Sequence, residues 1–190
     1  SWTQAVPLVE ITAKQITPLT VIGKGGSKPL SFSYGSDFMG GTYRVVPKID
    51  IVGSELVFVG YGIVAPEKDW NDYAGIDMRG KTAVILVNDP DYAMEGQDGP
   101  FNGRAMTYYG RWSYKYEEAA RQGAEAALVV HDTFPAAYGW NVVESSGRGP
   151  QAFARSNNGG AGETKFNGWI QKHVAEKILA AAGQDFAASR

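Results

Sequence analysis

Few groups in this chain have the type and spacing to do chemistry, and each has a plainer reading beside it. There are two histidines, His131 and His173, and no cysteine. His131-Asp132 closes an apolar run, a place where metal ligands often sit. A zinc site needs three or four convergent donors, and no second histidine stands at the helical i+4 spacing. His131 therefore reads as a locally hydrogen-bonded residue at a strand end, and His173 as solvated; no metal ligands and no thiolate site are expected. The acidic loop Asp89-Pro90-Asp91-Tyr92-Ala93-Met94-Glu95-Gly96-Gln97-Asp98 offers carboxylates to calcium. Ala93 stands where the EF-hand pattern requires an oxygen, and a hard cation wants six or more, so a solvated loop is the simpler reading. Gly25-Gly26-Ser27-Lys28 lacks the Gly-Lys-Ser/Thr ending of a phosphate loop. No Gly-x-Ser-x-Gly nucleophile elbow occurs. No catalytic residue is assigned.

The aromatic residues are a stronger signal. Tyr108, Tyr109, Trp112, Tyr114 and Tyr116 fall within nine positions, with Arg104 and Arg111 among them, and Tyr138 and Trp140 follow. Tyr, Trp and Arg are the usual anchors of contact surfaces, and they are also ordinary core fillers. In the plainer reading Trp112 and Tyr116 pack on a sheet while the others cover loops. The residues expected to meet a substrate or partner are Arg104, Tyr108, Tyr109, Arg111, Trp112, Tyr138 and Trp140.

These residues have to be positioned by the segment from Asp72 to Asp132. Thr82–Val87 is a short apolar run rich in β-branched residues, which suits a buried strand. It is preceded by a Gly80-Lys81 turn and stopped by Asn88-Asp89-Pro90. Residues 89–104 read as loop. Residues 111–122 read as a helix, with Trp112, Tyr116, Ala119 and Ala120 on one face and Lys115, Glu118 and Gln122 on the other. Gly123 suits the left-handed residue that ends it, and Ala126–His131 is the next strand. Strand, helical connection, strand predicts a parallel βαβ pair.

Outside that unit the signals are weaker. Residues 5–22 alternate loosely, with Pro7 and Pro18 restricting them to edge strands. Residues 23–28 read as a turn, and 42–52 and 55–64 as strands. Residues 145–165 form a Gly/Ser/Asn-rich loop. A last helix is expected over 168–182, with Asn167 as its cap, Ile170, Val174 and Ile178 as its apolar stripe, and Gly183 as its end.

Composition bounds the function. With 190 residues the chain can bury roughly 70% of its unfolded surface in one core. A net charge of −2 argues against a nucleic-acid footprint. No apolar run approaches the ~20 residues that span a bilayer. Glycine at 24 of 190, with many aromatics, favours turn-rich β structure. The chain begins with Ser1, which reads either as the trace of a cleaved leader or, the preferred reading, as a cut from a larger protein.

The stretches Tyr73–Val87 (YAGIDMRGKTAVILV) and Glu117–Val130 (EEAARQGAEAALVV) resemble the protease-associated domain, a module inserted in zinc aminopeptidases of the bacterial leucyl aminopeptidase and transferrin-receptor-like kind. Phe58–Ile63 and Phe101–Trp112 are similar to the aminopeptidase branch. The incoming segment Ser1–Val9 and the outgoing segment around Gly168–Gln171 and Ala180–Gly183 resemble that branch as well. The resemblance implies a mixed α/β, swivelling β/β/α architecture: a curved sheet or open β-barrel flanked by helices. It implies one domain over 1–190, with 1–24 and 168–190 linking to a catalytic domain outside the chain. That domain would carry the zinc, leaving no cofactor here. The chain itself would be a non-catalytic accessory module of a periplasmic or extracellular exopeptidase, meeting its own catalytic domain and a peptide or protein substrate, with no nucleic-acid or membrane partner. The alternative is a stand-alone module that binds protein or glycan, of the sorting-receptor type.

Overall fold

A strand that is buried at every position must be covered on both faces, and two strands of this chain meet that description. Residues Thr82–Leu86 and Ala126–His131 are buried throughout. The computed structural model, which describes residues 2–26 and 28–189, shows how they are covered. In chain order the elements are β1 (Leu8–Ile11), β2 (Leu19–Val21), β3 (Leu30–Phe32), β4 (Phe38–Gly41), β5 (Leu56–Phe58), β6 (Val64–Ala65), β7 (Trp70–Asn71), β8 (Thr82–Leu86), α1 (Trp112–Arg121), β9 (Ala126–His131), α2 (Thr133–Ala136), α3 (Trp140–Ser146), β10 (Gln151–Ala154), β11 (Phe166–Gln171) and α4 (Lys172–Ala181).

The main sheet has five strands in the order β4-β11-β9-β8-β5. β5, β8, β9 and β11 run parallel, and β4 closes one edge antiparallel to β11. Alternate residues of β8 and β9 face opposite sides. Ala83, Ile85, Ala127 and Val129 join one core with Tyr116 and Ala119 of α1. Val84, Leu86, Leu128 and Val130 join a second core with Val174, Ala175, Ile178 and Leu179 of α4. The fold is therefore mixed α/β, a sheet with helices on both faces, and no closed barrel forms among the described residues. The predicted β8–α1–β9 unit is present and parallel, in the register Thr82↔Ala126 to Leu86↔Val130. Gly80 and Gly123 take the positive φ values of 71° and 82° that their turns require. No helix among the described residues is long and apolar enough to cross a membrane.

Several expectations are corrected. Residues 166–171 are strand β11 rather than the start of a helix. Phe-Asn-Gly-Trp-Ile-Gln fills the slot between β9 and β4, and the helix begins only at Lys172. Asn167 accordingly caps nothing; it is buried and its amide oxygen accepts from the Thr164 hydroxyl at 2.6 Å. Residues 42–52 form no strand, because β propensity needs a partner. That segment is tethered instead by Val45 N–H to the Gly159 carbonyl at 2.8 Å and by the Arg44 guanidinium on the Glu163 carbonyl. The predicted strand over 55–64 is broken at Gly60 and Gly62, whose φ values are 57° and 59°, into β5 and the two residues of β6. The expected loop 145–165 begins inside α3 and contains β10, which pairs antiparallel with β1. Within 5–22 the strands shrink to β1 and β2. Of the turn at 23–28, Ser27 lies outside the described residues, as do Ser1 and Arg190 of the linking segments.

The β4–β11 edge rests on a close backbone approach. Gly40 pairs with Gly168. A Cβ on Gly40 would lie 2.5 Å from the Asn167 carbonyl oxygen and 2.6 Å from Gly168 Cα, whereas one on Gly41 would meet nothing within 4 Å. Gly40→Ala is expected to cost about 1–3 kcal/mol in chemical denaturation, and Gly41→Ala to stay within about 0.5 kcal/mol. Equal effects of the two substitutions would refute the close-approach account.

Candidate contact surface and buried ion cluster

The aromatic residues singled out in the sequence split between structure and surface. Helix α1 is wedged between the sheet and the loop 88–110, so two of its faces are buried. Tyr116 points into the sheet core and Tyr114 into a smaller core with Ile63, Ala65 and Phe101. The Tyr114 hydroxyl accepts from Val64 N–H at 3.1 Å and is 3.2 Å from the Val64 carbonyl, which pins α1 to β6. Burial pushes this phenol up to about 12.

Tyr109 is half-buried against Phe101 and Tyr114, at centroid distances of 5.8 and 5.0 Å, and donates its hydroxyl to Glu67 at 2.7 Å. Tyr138 and Trp140 flank the buried His131, with ring centroids 5.7 and 5.5 Å from its imidazole. The Trp140 indole donates to the Gly35 carbonyl at 2.7 Å. These three are largely committed to the fold. Tyr108 and Trp112 remain open, at 54% and 40% exposure, and Arg104 and Arg111 are exposed. Tyr108 still donates to Glu117 at 2.7 Å, and Trp112 lies against Tyr116 at 5.7 Å. The cation of Arg111 lowers the Tyr138 phenol, working against the larger upward push of burial, so this arginine lies near the Tyr138 side of the surface.

One exposed aromatic nearby is not among the residues singled out above. Phe134, at 66% exposure, lies 5.9 Å from Tyr92 across the ends of β8 and β9. A second link there is the Asn88 side-chain amide, which donates to the Pro135 carbonyl at 2.8 Å. The open residues thus sit on the loops leaving the C-terminal ends of two adjacent parallel strands. That is the end of a parallel sheet where ligands commonly bind.

His131 is buried as expected for a strand-end residue, with Nε2 3.0 Å from the Tyr138 carbonyl; burial lowers its pKa and favours the neutral ring. His173 is not simply solvated, since its Nε2 is 3.3 Å from Asp37 Oδ1. Among the described residues no three His, Asp or Glu side chains gather as a metal-holding group.

The polar face predicted for α1 is also corrected. Lys115 and Glu118, on the face opposite the apolar one, are buried. Glu118 is satisfied by Arg121 at 2.7 Å and by the Gln122 amide at 2.8 Å. Lys115 is 0% exposed and donates to the Tyr61 carbonyl at 2.6 Å. Its ammonium site lies over the rings of Tyr61 and Tyr114, 5.8 and 5.9 Å from their centroids. Burial lowers its pKa to about 7, against the opposing pull of Asp89 and Asp72.

Asp89 is itself 0% exposed. Its Oδ2 accepts from Thr107 N–H at 3.2 Å and from the Thr107 hydroxyl at 3.0 Å, while Oδ1 has no partner. Burial raises its pKa, and Asp91 adds to the rise. Asp91 is buried too, accepting from Phe101 N–H at 2.7 Å. Asp72 accepts from Ile63 N–H and from the Trp70 indole, both at 2.9 Å, and burial raises its pKa. A helical-wheel reading could not find this cluster, because Tyr61, Asp72 and Asp89, the groups that act on Lys115, come from other segments of the chain.

No family model matches this chain, and no curated protein matches it. Among solved structures it is similar to an aminopeptidase from Aneurinibacillus sp. strain AM-1. The alignment covers 91% of this chain and 28% of that one, at 20% identity and a TM-score of 0.45. The chain thus spans 28% of the length of that structure.

Tyr114→Phe leaves Val64 N–H without its acceptor and is expected to cost about 1–3 kcal/mol. Tyr109→Phe removes only an exposed hydrogen bond and is expected to stay within about 0.5 kcal/mol. Denaturation midpoints at constant slope check both; a Tyr114→Phe protein as stable as the parent would show that the α1–β6 tie contributes nothing.

Proposed function

We propose that this chain is a non-catalytic protease-associated domain of a zinc exopeptidase of the aminopeptidase kind, which controls substrate access or binds peptide. The observation that carries the reading is where the family-like stretches fall. Tyr73–Val87 and Glu117–Val130 contain β8, the second half of α1 and the body of β9, so they form one contiguous parallel unit. The segment between them is presented at one end of that unit, with Tyr108, Arg111 and Trp112 open to solvent. This is the arrangement expected of a scaffold that displays a contact loop.

In this reading Arg104, Tyr108, Arg111 and Trp112 meet peptide or the catalytic domain, and Phe134 extends the surface. Tyr109, Tyr138 and Trp140 shape it from behind. The zinc belongs to the catalytic domain outside the chain, and the parent works in the periplasm or outside the cell.

The isolated chain, loaded with zinc and offered aminoacyl substrates, is expected to show no stoichiometric metal and no turnover; tight zinc with peptidase activity would overturn the accessory reading. Peptide titration followed by tryptophan fluorescence or NMR shifts should show binding weakened about fivefold or more by Trp112→Ala, in line with the loss of an aromatic anchor. Unchanged binding with circular dichroism intact would remove Trp112 from the surface. Trp140→Ala serves as a contrast, because losing its hydrogen bond to Gly35 should lower stability as well.

A further inference from the structure

An asparagine followed by glycine can lose its side-chain amide without any catalyst, because glycine has no side chain to shield its N–H from the preceding Cγ. The chain holds three such pairs, Asn102-Gly103, Asn158-Gly159 and Asn167-Gly168. Their local chemistry is the same, so the fold alone ranks them. Asn167 and Gly168 lie inside β11, paired with β9 on one side and β4 on the other, and Asn167 is buried. Asn158 is exposed, but its Oδ1 accepts from Gly160 N–H at 3.1 Å, and Gly159 N–H donates to the Ser156 carbonyl at 3.4 Å. Asn102 is exposed as well, and among the described residues neither its side-chain amide nor Gly103 N–H has a hydrogen-bond partner.

The turn itself demands this pair. Asn102 and Gly103 have φ values of 66° and 56°, two successive left-handed residues, which asparagine and glycine adopt at least cost. A Cβ on Gly103 would lie 2.4 Å from the Gly96 carbonyl oxygen, so packing keeps a glycine there. The loop is anchored beside the turn rather than through it, by Phe101 against Trp70 and Tyr109 and by the Tyr109 hydroxyl on Glu67. The backbone bonds at the turn are Asn102 N–H to the Gly99 carbonyl at 3.0 Å, Ala105 N–H to the Asn102 carbonyl at 3.1 Å and Arg104 N–H to the Gly96 carbonyl at 3.3 Å. A local rearrangement there disturbs these bonds and leaves the aromatic anchors in place.

We propose that Asn102 is a site of spontaneous modification, at which the side chain closes on Gly103 to a succinimide and is released as aspartate or isoaspartate. The Gly103 amide nitrogen gives its proton to solvent base and attacks Asn102 Cγ. The N–Cγ bond forms, the Cγ–Nδ2 bond breaks, and the departing nitrogen takes a proton from solvent and leaves as ammonia. Water then opens the ring at one of its two carbonyls. The balance is one water consumed and one ammonia released, with no change of oxidation state. Either product sets a new carboxylate beside the exposed Arg104. Isoaspartate also adds a carbon to the backbone where Gly103 already lies close against Gly96, so the turn has to rearrange. If the accessory reading above holds, the contact surface loses positive charge as the protein ages; the modification itself does not depend on that reading.

The test is to age the chain in mildly alkaline buffer, with and without denaturant, and to follow the three asparagines by peptide mass spectrometry. In the native chain Asn102 is expected to react first, about tenfold or more ahead of Asn167, which must wait for β11 to leave the sheet. Asn158 should fall between them. In denaturant the three rates should converge. The product at position 102 should contain isoaspartate as well as aspartate. Asn102→Gly keeps the positive φ without a side-chain amide and should lose the early change. Asn158 or Asn167 reacting as fast as Asn102 in the native chain, an unchanged ranking in denaturant, or aspartate as the sole product would each overturn the proposal. Should Asn102→Gly fail to fold, the rates and products of the unmodified chain decide. None of these readouts involves peptide binding, so the modification and the contact surface can fail separately.

Discussion

Everything in this fold is arranged around β8 and β9, two adjacent parallel strands with no solvent face. Their apolar side chains alternate between two cores, so each face of the sheet needs its own cover: α1 on one side and α4 on the other. Parallel pairing requires the chain to travel back outside the sheet between the two strands. The return path here contains a full helix together with a long loop at the far end of β8. The loop cannot stand free, because Phe101, Tyr109 and Tyr114 would then expose a second apolar cluster. It folds back over α1 and buries that helix on two faces. The burial of Lys115 is a by-product of covering β8 and β9.

This chain of necessity explains what could be read in advance. β8, β9 and the helix between them were legible because local pattern and tertiary role agree. Val84, Ile85 and Leu86 look like a buried strand and are one, and Gly123 sits where a helix must turn. The edges were not legible. Phe166–Gln171 is a strand only because β9 and β4 offer it two partners, whereas Val45 and Val46 have strand-like side chains and no strand partner among the described residues. Gly60 and Gly62 cut a promising run because the chain has to turn there toward β6.

The candidate surface was partly legible, for a related reason. Composition picks out Tyr, Trp and Arg as contact-prone but cannot say which of them the fold consumes. Tyr109, Tyr138 and Trp140 are drawn inward by Phe101, His131 and Gly35, respectively, groups whose positions only the folded chain sets. Trp112 and Tyr108 stay outward because they lie where the loop enters α1. Phe134 gave no warning, since its exposure follows from the short helix α2 that begins directly after β9. Lys115 could not be read as buried: a lysine on the polar side of an amphipathic helix is nearly always solvated, and only the folded chain brings the Tyr61 carbonyl to its amine.

The pairings at the margins set an order of assembly. Leu8 of β1 lies opposite Ala154 of β10, and Phe38 of β4 opposite Ile170 of β11. Both early strands must wait for partners from near the other end of the chain, at a large loop-closure cost. During synthesis β8, α1 and β9 emerge together and can collapse locally, while β1 and β4 remain without their strand partners. The margins of the sheet are thus the last parts to form, and an interrupted chain would leave one side of the nascent sheet, and the strands that should complete it, open to neighbouring chains.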